Sequence, residues 1–242
     1  MTDEPVVLVE RIGARVEVVL NRPGRRNAVI PALSNALAAA VTGAAADPTV
    51  GCLLLRGAGG TFCSGLDLGV PGAAPGDPAA REAWVGVHQA LFRCEVPVVV
   101  ALERFAINAG AALVLAADVV VAGESAVLQV GEIALGLGAP MCQAWLHLRH
   151  PVSVGDRVTL LGDRIPAPEL LRLGLVTEVC PDDEVADRAR AMADRIAGHP
   201  PSGRAAIRGL WQRLRTNPAD PDAWFAGLAG LPTAAPEPGA AR

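Results

Sequence analysis

The sequence predicts a mixed α/β fold in which β–β–α units repeat and a helical region follows. Three observations support this prediction. Short apolar runs alternate with helical patterns in the first part of the chain, and the order of strand, small-residue turn and helix occurs twice. Beyond Pro140 the pattern is helical. With 51% hydrophobic and 19% charged residues, the 242-residue chain is long enough to bury one large core.

Five apolar segments are predicted strands. The first two alternate in polarity on either side of Gly13, which is typical of a β-hairpin. The other three are short, continuous apolar runs, which are typical of buried strands. The predicted strands are Val6–Glu10, Val16–Leu20, Val50–Leu55, Val98–Leu102 and Val119–Ala122.

Helices are predicted where apolar residues recur with helical spacing. In Pro31–Ala46 the apolar residues Leu33, Leu37 and Val41 share one face. Later in the chain, Asp183 is expected to cap a helix that runs to about residue 196. The other predicted helices cover residues 81–93, 110–117, 141–148, 154–161, 167–173, 202–215 and 221–231.

The predicted organisation is a core over residues 1–195, a helical region over 196–231 and a disordered tail over 232–242. The helical region carries the apolar side chains Leu210, Trp211, Leu214, Trp224 and Phe225. Because a terminal appendage rarely exposes so much apolar surface, we expect this region to pack on another subunit. Residues 69–80 are rich in Pro, Gly and Ala and are predicted to form a mobile loop.

Composition argues against several classes of function. The net charge of −4 gives no general basis for binding nucleic acid or an anionic membrane. Lys and Tyr are absent, which excludes Schiff-base catalysis and acid catalysis by Tyr. No apolar span is long enough for a membrane helix, and the short acidic start does not resemble a signal peptide. We therefore expect a cytoplasmic protein.

Metal binding and disulfide formation are not expected. The five cysteines are spread along the chain without a Cys-x-x-Cys pair, so we interpret them as buried thiols in a reducing compartment. His147 and His150 have no third ligand nearby in sequence and are predicted to lie on a helix surface.

Seven runs of the sequence have the order and spacing of one known family across roughly residues 6–215. They are Leu20–Pro23, Asn27–Ala28, Gly57–Leu68, Pro97–Leu102, Ala106–Asp118, Gly131–Leu137 and Leu173–Val179. Together they resemble the crotonase superfamily, also called the enoyl-CoA hydratase/isomerase family. The resemblance implies a crotonase-type spiral of β–β–α units with a C-terminal helical region that forms trimers, often paired into hexamers. It also implies an acyl-CoA substrate, with coenzyme A as part of the substrate and no separate cofactor.

The resemblance assigns an oxyanion hole to the runs Phe62–Leu68 and Ile107–Ala112. By motif position, the backbone N–H groups of Leu66 and Ala109 would stabilise negative charge on a thioester oxygen. The second run reads Asn108-Ala109-Gly110, where the family commonly has three glycines. Alanine keeps its N–H, but its methyl group narrows the approach. The alternative is that these small residues only let a helix pack close to a strand.

Hydratases of this family use two glutamates, one to activate water and one to handle the proton at the α-carbon. The first position is Ala112 here, which cannot transfer a proton. The second is Glu132, whose apolar sequence neighbours predict partial desolvation and a raised pKa. The alternative is an exposed loop carboxylate. Because one carboxylate suffices for a 1,3-proton shift, the expected reaction is that of a Δ3-Δ2-enoyl-CoA isomerase.

The same resemblance places the coenzyme A site on the loop 22–28 and on the first small-residue run. The implied substrate-binding residues are Arg25, Arg26, Ala28, Ser64, Asp67 and Leu68. Arg suits phosphate recognition, although solvated charge is the alternative for each Arg separately. Arg208 is a further candidate for a coenzyme A contact, and the loop 69–80 is expected to be an acyl lid.

Two alternatives for function and one for a residue stay open. If the chain is not an isomerase, one alternative is a non-catalytic acyl-CoA binder or carrier. The other is an enoyl-CoA hydratase with reduced machinery, in which Glu132 activates water unaided. Glu103-Arg104 stands where the family commonly has Asn-Gly. A surface charge or local ion pair is the simpler interpretation of Glu103. The alternative is that Glu103 supplies a replacement for the missing acid.

Overall fold

The computed structural model describes residues 4–70, 72, 76–214 and 225–227. In these residues the strands are β1 (Val7–Ile12), β2 (Arg15–Leu20), β3 (Cys52–Gly57), β4 (Val98–Leu102), β5 (Phe105–Ile107), β6 (Val119–Gly123), β7 (Val127–Gln129), β8 (Ile165–Pro166) and β9 (Glu178–Cys180). The α-helices are α1 (Pro31–Ala46), α2 (Pro78–Arg93), α3 (Ala109–Ala116), α4 (Pro140–Arg149), α5 (Val152–Leu161), α6 (Ala167–Arg172), α7 (Val185–Ala197) and α8 (Pro201–Leu214). Short 3-10 helices cover Pro23–Arg25 and Glu132–Leu135.

A six-stranded sheet lies at the centre of the fold, in the order β1-β2-β3-β4-β6-β9. The first two strands form the predicted antiparallel hairpin, with Val9 opposite Val18. Every later pair in this sheet is parallel. Parallel strands are normally covered on both faces, which is why β3, β4 and β6 are continuous apolar runs in the sequence.

Hydrophobic clusters cover the two faces of this sheet. Leu53 and Leu55 of β3 belong to the larger cluster, which also contains side chains of α1, α2, α3 and α4. Leu54 points the other way and packs with Val185 and Ala189 of α7. The alternation follows from the two-residue period of a strand, and it gives every central strand two buried faces.

A smaller sheet, in the order β5-β7-β8, positions the candidate site. Ala106 of β5 pairs with Leu128 of β7, and on its other side Ala106 forms a bridge with Cys63. Successive β–β–α units therefore stack their second strands on one another. Leu66, Ala109 and Glu132 follow these three stacked segments within a few residues, so the spiral brings distant parts of the sequence to one place.

Most predicted elements are confirmed, and the differences have local causes. Helix α2 begins at Pro78 because the carboxylate of Asp77 accepts hydrogen bonds from the N–H groups of Ala79 and Ala80. The predicted cap at Asp183 is wrong, since α7 follows Glu184 without a side-chain cap. Strands β5, β7, β8 and β9 were not predicted, because two or three residues are too short to show a period.

Two side chains of the C-terminal region pack on the rest of their own chain. Phe225 is fully buried against the rings of His88, Phe92 and Trp145. Arg208 of α8 bonds Asp118 and the carbonyl of Cys94. The side chains of Leu210, Trp211 and Leu214, the residue Trp224 and the tail 232–242 lie outside the described residues. The predicted division at residue 195 falls within α7 and stays a prediction.

All five cysteines are buried free thiols, as the sequence predicted. Within the described ranges, no helix is long and apolar enough to cross a membrane.

Candidate active site

The N–H of Leu66 is turned away from the strand-like contact that holds this segment. The carbonyl of Gly65 accepts a hydrogen bond from the N–H of Val29 at 2.8 Å, and the N–H of Asp67 donates to the carbonyl of Val29 at 2.9 Å. In such a pairing, the N–H of the intervening residue points to the opposite side. Among the described residues, no group accepts a hydrogen bond from the N–H of Leu66.

The N–H of Ala109 is the first of helix α3, and a first-turn N–H has no acceptor within its own helix. The described part of the chain offers it no other acceptor. The N-terminus of α3 lies against the segment that carries Leu66. A Cβ atom on Gly65 would stand 3.1 Å from the carbonyl oxygen of Ile107, and one on Gly110 would stand 2.6 Å from that of Cys63. Glycine at both positions therefore allows the close approach of the two segments that carry Leu66 and Ala109, whose N–H groups have no acceptor among the described residues.

Glu132 opens the 3-10 helix Glu132–Leu135 and is half-buried. Its Oε2 atom is buried and has no hydrogen-bond partner in the described part of the protein. Burial raises the pKa of Glu132 to about 7, and a backbone hydrogen bond opposes this only in part. The alternative of an exposed loop carboxylate does not describe this side chain. A glutamate with such a pKa exchanges protons readily near neutral pH.

Ala112 lies in the first turn of α3, on the element that begins with Ala109. Its side chain is buried, and its N–H donates to the carbonyl of Asn108 at 3.0 Å. The thiol of Cys142 also reaches that carbonyl, at 3.5 Å. Cys142 lies close enough to Glu132 for the charge of that carboxylate to raise the pKa of the thiol. The position of the family's first glutamate thus presents a methyl group to this part of the core.

A cavity of about 250 Å³ opens beside Leu66. Its lining contains every predicted substrate-binding residue together with Leu66 itself. The lining residues are Gly24, Arg25, Arg26, Ala28, Ser64, Leu66, Asp67 and Leu68. Ala109 and Glu132 are not part of this lining, so the cavity corresponds to the outer portion of the candidate site and not to the carboxylate.

Asp67 is held by two arginines at the mouth of this cavity. Arg22 contacts its Oδ2 at 3.0 Å and Arg25 at 3.4 Å. Burial alone would raise the pKa of Asp67, but the hydrogen bond from Arg22 and the charges of Arg25 and Arg22 lower it. Asp67 is therefore a charged anchor for the loop 22–28. No local pattern identifies Arg22 as the partner of Asp67, because the two residues are 45 positions apart.

The two arginines predicted to face a phosphate differ in their surroundings. Arg25 is engaged with Asp67, which satisfies part of its charge. Arg26 is exposed, adopts a left-handed backbone with φ of 50°, and has no acidic partner in the described ranges. Arg26 is thus the freer cation on the rim of the cavity.

Two further candidates lie elsewhere. Glu103 is in the electrostatic range of Arg56 and Arg190, the arginines that bind Glu17, and burial raises its pKa. The nearness of these two arginines favours the simpler interpretation of Glu103 as part of a local charge cluster, and its role as a replacement acid stays an untested alternative. Arg208 is buried in the ion pair with Asp118 and is not available to a phosphate.

No metal centre emerges from the described residues. His147 and His150 lie at the end of α4, and burial and the charge of Arg149 lower the pKa of His150. The described part of the chain contains no group of three His, Cys, Asp or Glu side chains that is able to hold a metal ion.

Comparison with known proteins places these features in one family. The family model described as enoyl-CoA hydratase/isomerase matches residues 12–220. A probable enoyl-CoA hydratase of Rhodobacter capsulatus is 34% identical over 83% of this chain and 79% of its own length. A 1,2-epoxyphenylacetyl-CoA isomerase of Escherichia coli is 31% identical over 84% and 80%, respectively. The solved structure of a carnitinyl-CoA dehydratase from Mycobacterium avium superposes with a TM-score of 0.76 at 31% identity, covering 85% of this chain and 82% of the other.

The matched region contains the whole stacked arrangement of Leu66, Ala109 and Glu132, and the fold agrees with that of the solved relative over most of both chains. The predicted superfamily and the mixed α/β crotonase fold are therefore confirmed. The names of the relatives cover hydratase, dehydratase and isomerase chemistry, so they identify the type of enzyme without choosing one reaction. This chain belongs to the enoyl-CoA hydratase/isomerase family of the crotonase superfamily and is an acyl-CoA-processing enzyme of the hydratase/isomerase type.

Proposed function

We propose that the protein is a Δ3-Δ2-enoyl-CoA isomerase in which Glu132 is the sole acid/base. One observation carries the proposal: the Oε2 atom of Glu132 is buried without a partner among the described residues, while the position of the family's other glutamate is the methyl group of Ala112. A single carboxylate can remove a proton from C2 and return it to C4. With one carboxylate, the site has no second group to protonate the α-carbon while the first group activates water.

The paired backbone N–H groups supply the electrostatic part of this mechanism. When Glu132 removes the C2 proton of a 3-enoyl thioester, negative charge moves onto the thioester oxygen. Donors on Leu66 and Ala109 would stabilise that charge, and losing one such donor typically costs about 3–4 kcal/mol of transition-state stabilisation. The dienolate then takes the proton back from Glu132 at C4, which leaves the conjugated 2-enoyl thioester and a regenerated carboxylate.

The raised pKa of Glu132 suits a group that must act first as a base and then as an acid. A carboxylate with an ordinary pKa is too weak a base to remove a proton from carbon efficiently. A pKa of about 7 leaves a useful fraction of carboxylate at neutral pH and also makes it a stronger base.

For substrate binding, we place the coenzyme A portion against the cavity beside Leu66. Arg26 would meet a phosphate, and Arg25 would do so while it also holds Asp67. Backbone groups at Ala28 and the segment Ser64–Leu68 would line the path of the pantetheine portion toward Leu66. The lining of the cavity by these residues supports the assignment.

Hydration by the same carboxylate is the second candidate, because two of the three relatives described above are named hydratase or dehydratase. Glu132 would then activate water unaided and deliver its proton afterwards. The lack of a second carboxyl at Ala112 makes this reaction slower than the proton shift on the same scaffold.

One assay separates these candidates. Purified protein is given a 3-enoyl-CoA and, separately, crotonyl-CoA, and the absorbance of the conjugated thioester is followed. Formation of 2-enoyl-CoA from the first substrate, with little water addition to the second, is the expected result. Faster water addition than isomerisation would establish the hydratase candidate instead. Acyl-CoA binding without turnover of either substrate would identify a non-catalytic binder or carrier.

We also propose that the chain assembles into trimers or hexamers. Apolar side chains on the 3-10 helix after Glu132 and on α5 are exposed in the single chain: Ile133 and Leu135 are 44% and 51% exposed, and Leu160 and Leu161 are 62% and 64% exposed. Neighbouring exposed apolar side chains of this kind favour contact with another subunit. Light scattering behind size exclusion measures the mass, and a monomer would contradict the proposal.

The free buried thiols fit a reducing compartment, and we propose the cytoplasm.

A further inference from the structure

Asn108 has a backbone conformation that rarely suits a residue with a side chain. Its φ is 50° and its ψ is −107°, and it stands between β5 and α3, directly before Ala109. Glycine adopts such angles without steric cost, whereas other residues are strained. The family resemblance also implies glycine here. A side chain retained at a strained position calls for a compensating contact.

That contact joins Asn108 to the residue before Glu132. The Oδ1 atom of Asn108 accepts a hydrogen bond from the N–H of Gly131 at 2.9 Å. The N–H of Asn108 also donates to the carbonyl of Gln129 at 2.8 Å. One residue therefore holds both residue 129 and residue 131, and with them the turn that ends in Glu132.

The other side of Asn108 fixes the N-terminus of α3. Its carbonyl accepts from the N–H of Ala112 at 3.0 Å and from the thiol of Cys142 at 3.5 Å, and its peptide bond carries the N–H of Ala109. The Oε2 atom of Glu132 has no hydrogen-bond partner among the described residues, and the hydrogen bond that the carboxylate accepts comes from its own backbone. Its position therefore depends on the backbone that Asn108 fixes.

We propose that Asn108 is a positioning residue that sets the Glu132 carboxylate at a fixed place relative to the N–H of Ala109. This inference rests on the proposed function, because the two groups would act on neighbouring atoms of one substrate. The thioester oxygen must meet Ala109 while C2 and C4 meet Glu132. A displacement of about 1 Å between such groups can cost about a hundredfold in rate.

The test compares Asn108→Gly with Asn108→Asp. Glycine relieves the backbone strain and removes only the acceptor, so the variant should fold and keep its melting temperature. We expect its kcat for a 3-enoyl-CoA to fall about tenfold or more with KM nearly unchanged. The pH at which kcat is half-maximal should move down, because a loosened carboxylate reaches water. Asn108→Asp keeps an acceptor for the N–H of Gly131 and should recover most of kcat.

Arg104→Gly is the matched control. Arg104 is an exposed residue at the other end of β5, with a positive φ of 57°, and the family commonly has glycine there too. This variant should keep wild-type kcat and the wild-type pH profile.

Hydrogen exchange of the segment 130–136, followed by mass spectrometry, gives a readout that needs no turnover. Exchange should be faster in Asn108→Gly and unchanged in Arg104→Gly. If wild-type protein is active, an unchanged kcat or an unchanged exchange rate in Asn108→Gly overturns the positioning role and leaves the isomerase proposal intact. If wild-type protein turns over no 3-enoyl-CoA, the proposed function fails, and exchange alone decides whether Asn108 holds the Glu132 turn.

Discussion

Two glutamates with buried carboxylate oxygens have opposite surroundings in this protein. Glu17 on β2 is 1% exposed and is bonded by Arg56 and Arg190. Burial raises its pKa, but the hydrogen bonds and charges of Arg190 and Arg56 outweigh burial, so its pKa is lowered. No cation among the described residues pairs with Glu132, and burial raises its pKa to about 7.

The comparison shows that burial alone does not decide what a carboxylate does. A paired carboxylate stays ionised and contributes to stability, whereas an unpaired one stays ready to exchange a proton. Of these two glutamates, only Glu132 has a pKa suited to a general base and acid.

The largest effect expected concerns turnover. Glu132→Gln keeps the size of the side chain and removes proton transfer, so kcat for a 3-enoyl-CoA should fall by about 10²–10⁴-fold. Binding of a saturated acyl-CoA, measured by calorimetry, should stay within a few-fold of wild type. Retention of more than a tenth of the wild-type kcat would show that another group transfers the proton.

Glu17→Gln should act on stability and not on chemistry. The change leaves Arg56 and Arg190 without their shared carboxylate, and the free energy of unfolding in urea should fall by about 2–3 kcal/mol. Glu10→Gln is the matched control, because Glu10 is exposed and lies opposite Glu17 on β1. It should change stability by less than about 0.5 kcal/mol. Equal effects of the two variants would contradict the account of Glu17.

The two glutamates also predict opposite responses of stability to pH. Glu17 has a lowered pKa in the folded state, so its contribution is present above its unfolded pKa and is lost as pH falls through the folded one. Glu132 has a raised pKa, so it costs stability as pH rises from about 4.5 to about 7. Glu132→Gln should therefore be more stable than wild type at pH 8 by about 1–3 kcal/mol, and indistinguishable from it at pH 4. Urea unfolding at both values checks this difference.

The smallest effect expected is on substrate affinity. Arg26→Gln removes the cation at the rim of the cavity that has no acidic partner among the described residues, and KM for an enoyl-CoA should rise about three- to tenfold at low salt, with kcat unchanged. Arg195→Gln, on the helix that covers the opposite face of the sheet, is the control and should leave KM unchanged. A KM for Arg26→Gln equal to that of the control would remove Arg26 from the substrate site.

Much of the fold could be predicted from the sequence, since long periodic segments such as Pro31–Ala46 and continuous runs such as Val98–Leu102 carry strong local signals. Short strands could not. β5 and β7 each contain three residues, and their pairing depends on the spiral that stacks Ala106 between Cys63 and Leu128. The stacking is a property of the whole fold and leaves no local pattern.

The site was predictable where backbone motifs define it and not where long-range pairing does. Motif position placed Leu66, Asp67 and Arg26 at one cavity, and the structure brings them together there. The ion pair of Arg22 with Asp67, the burial of Arg208 against Asp118 and the packing of Phe225 within its own chain all join residues far apart in sequence. No spacing rule connects such partners.

Infrared difference spectroscopy of the protonated carboxyl band, in the absence of substrate, tests the central contrast most directly. We expect a carboxyl that titrates near pH 7 in wild type and in Glu17→Gln, and that is missing in Glu132→Gln. If the carboxyl lost in Glu132→Gln instead titrates at the ordinary value of about 4.5, then burial does not hold this glutamate as a base near neutrality, and the proposed mechanism is contradicted.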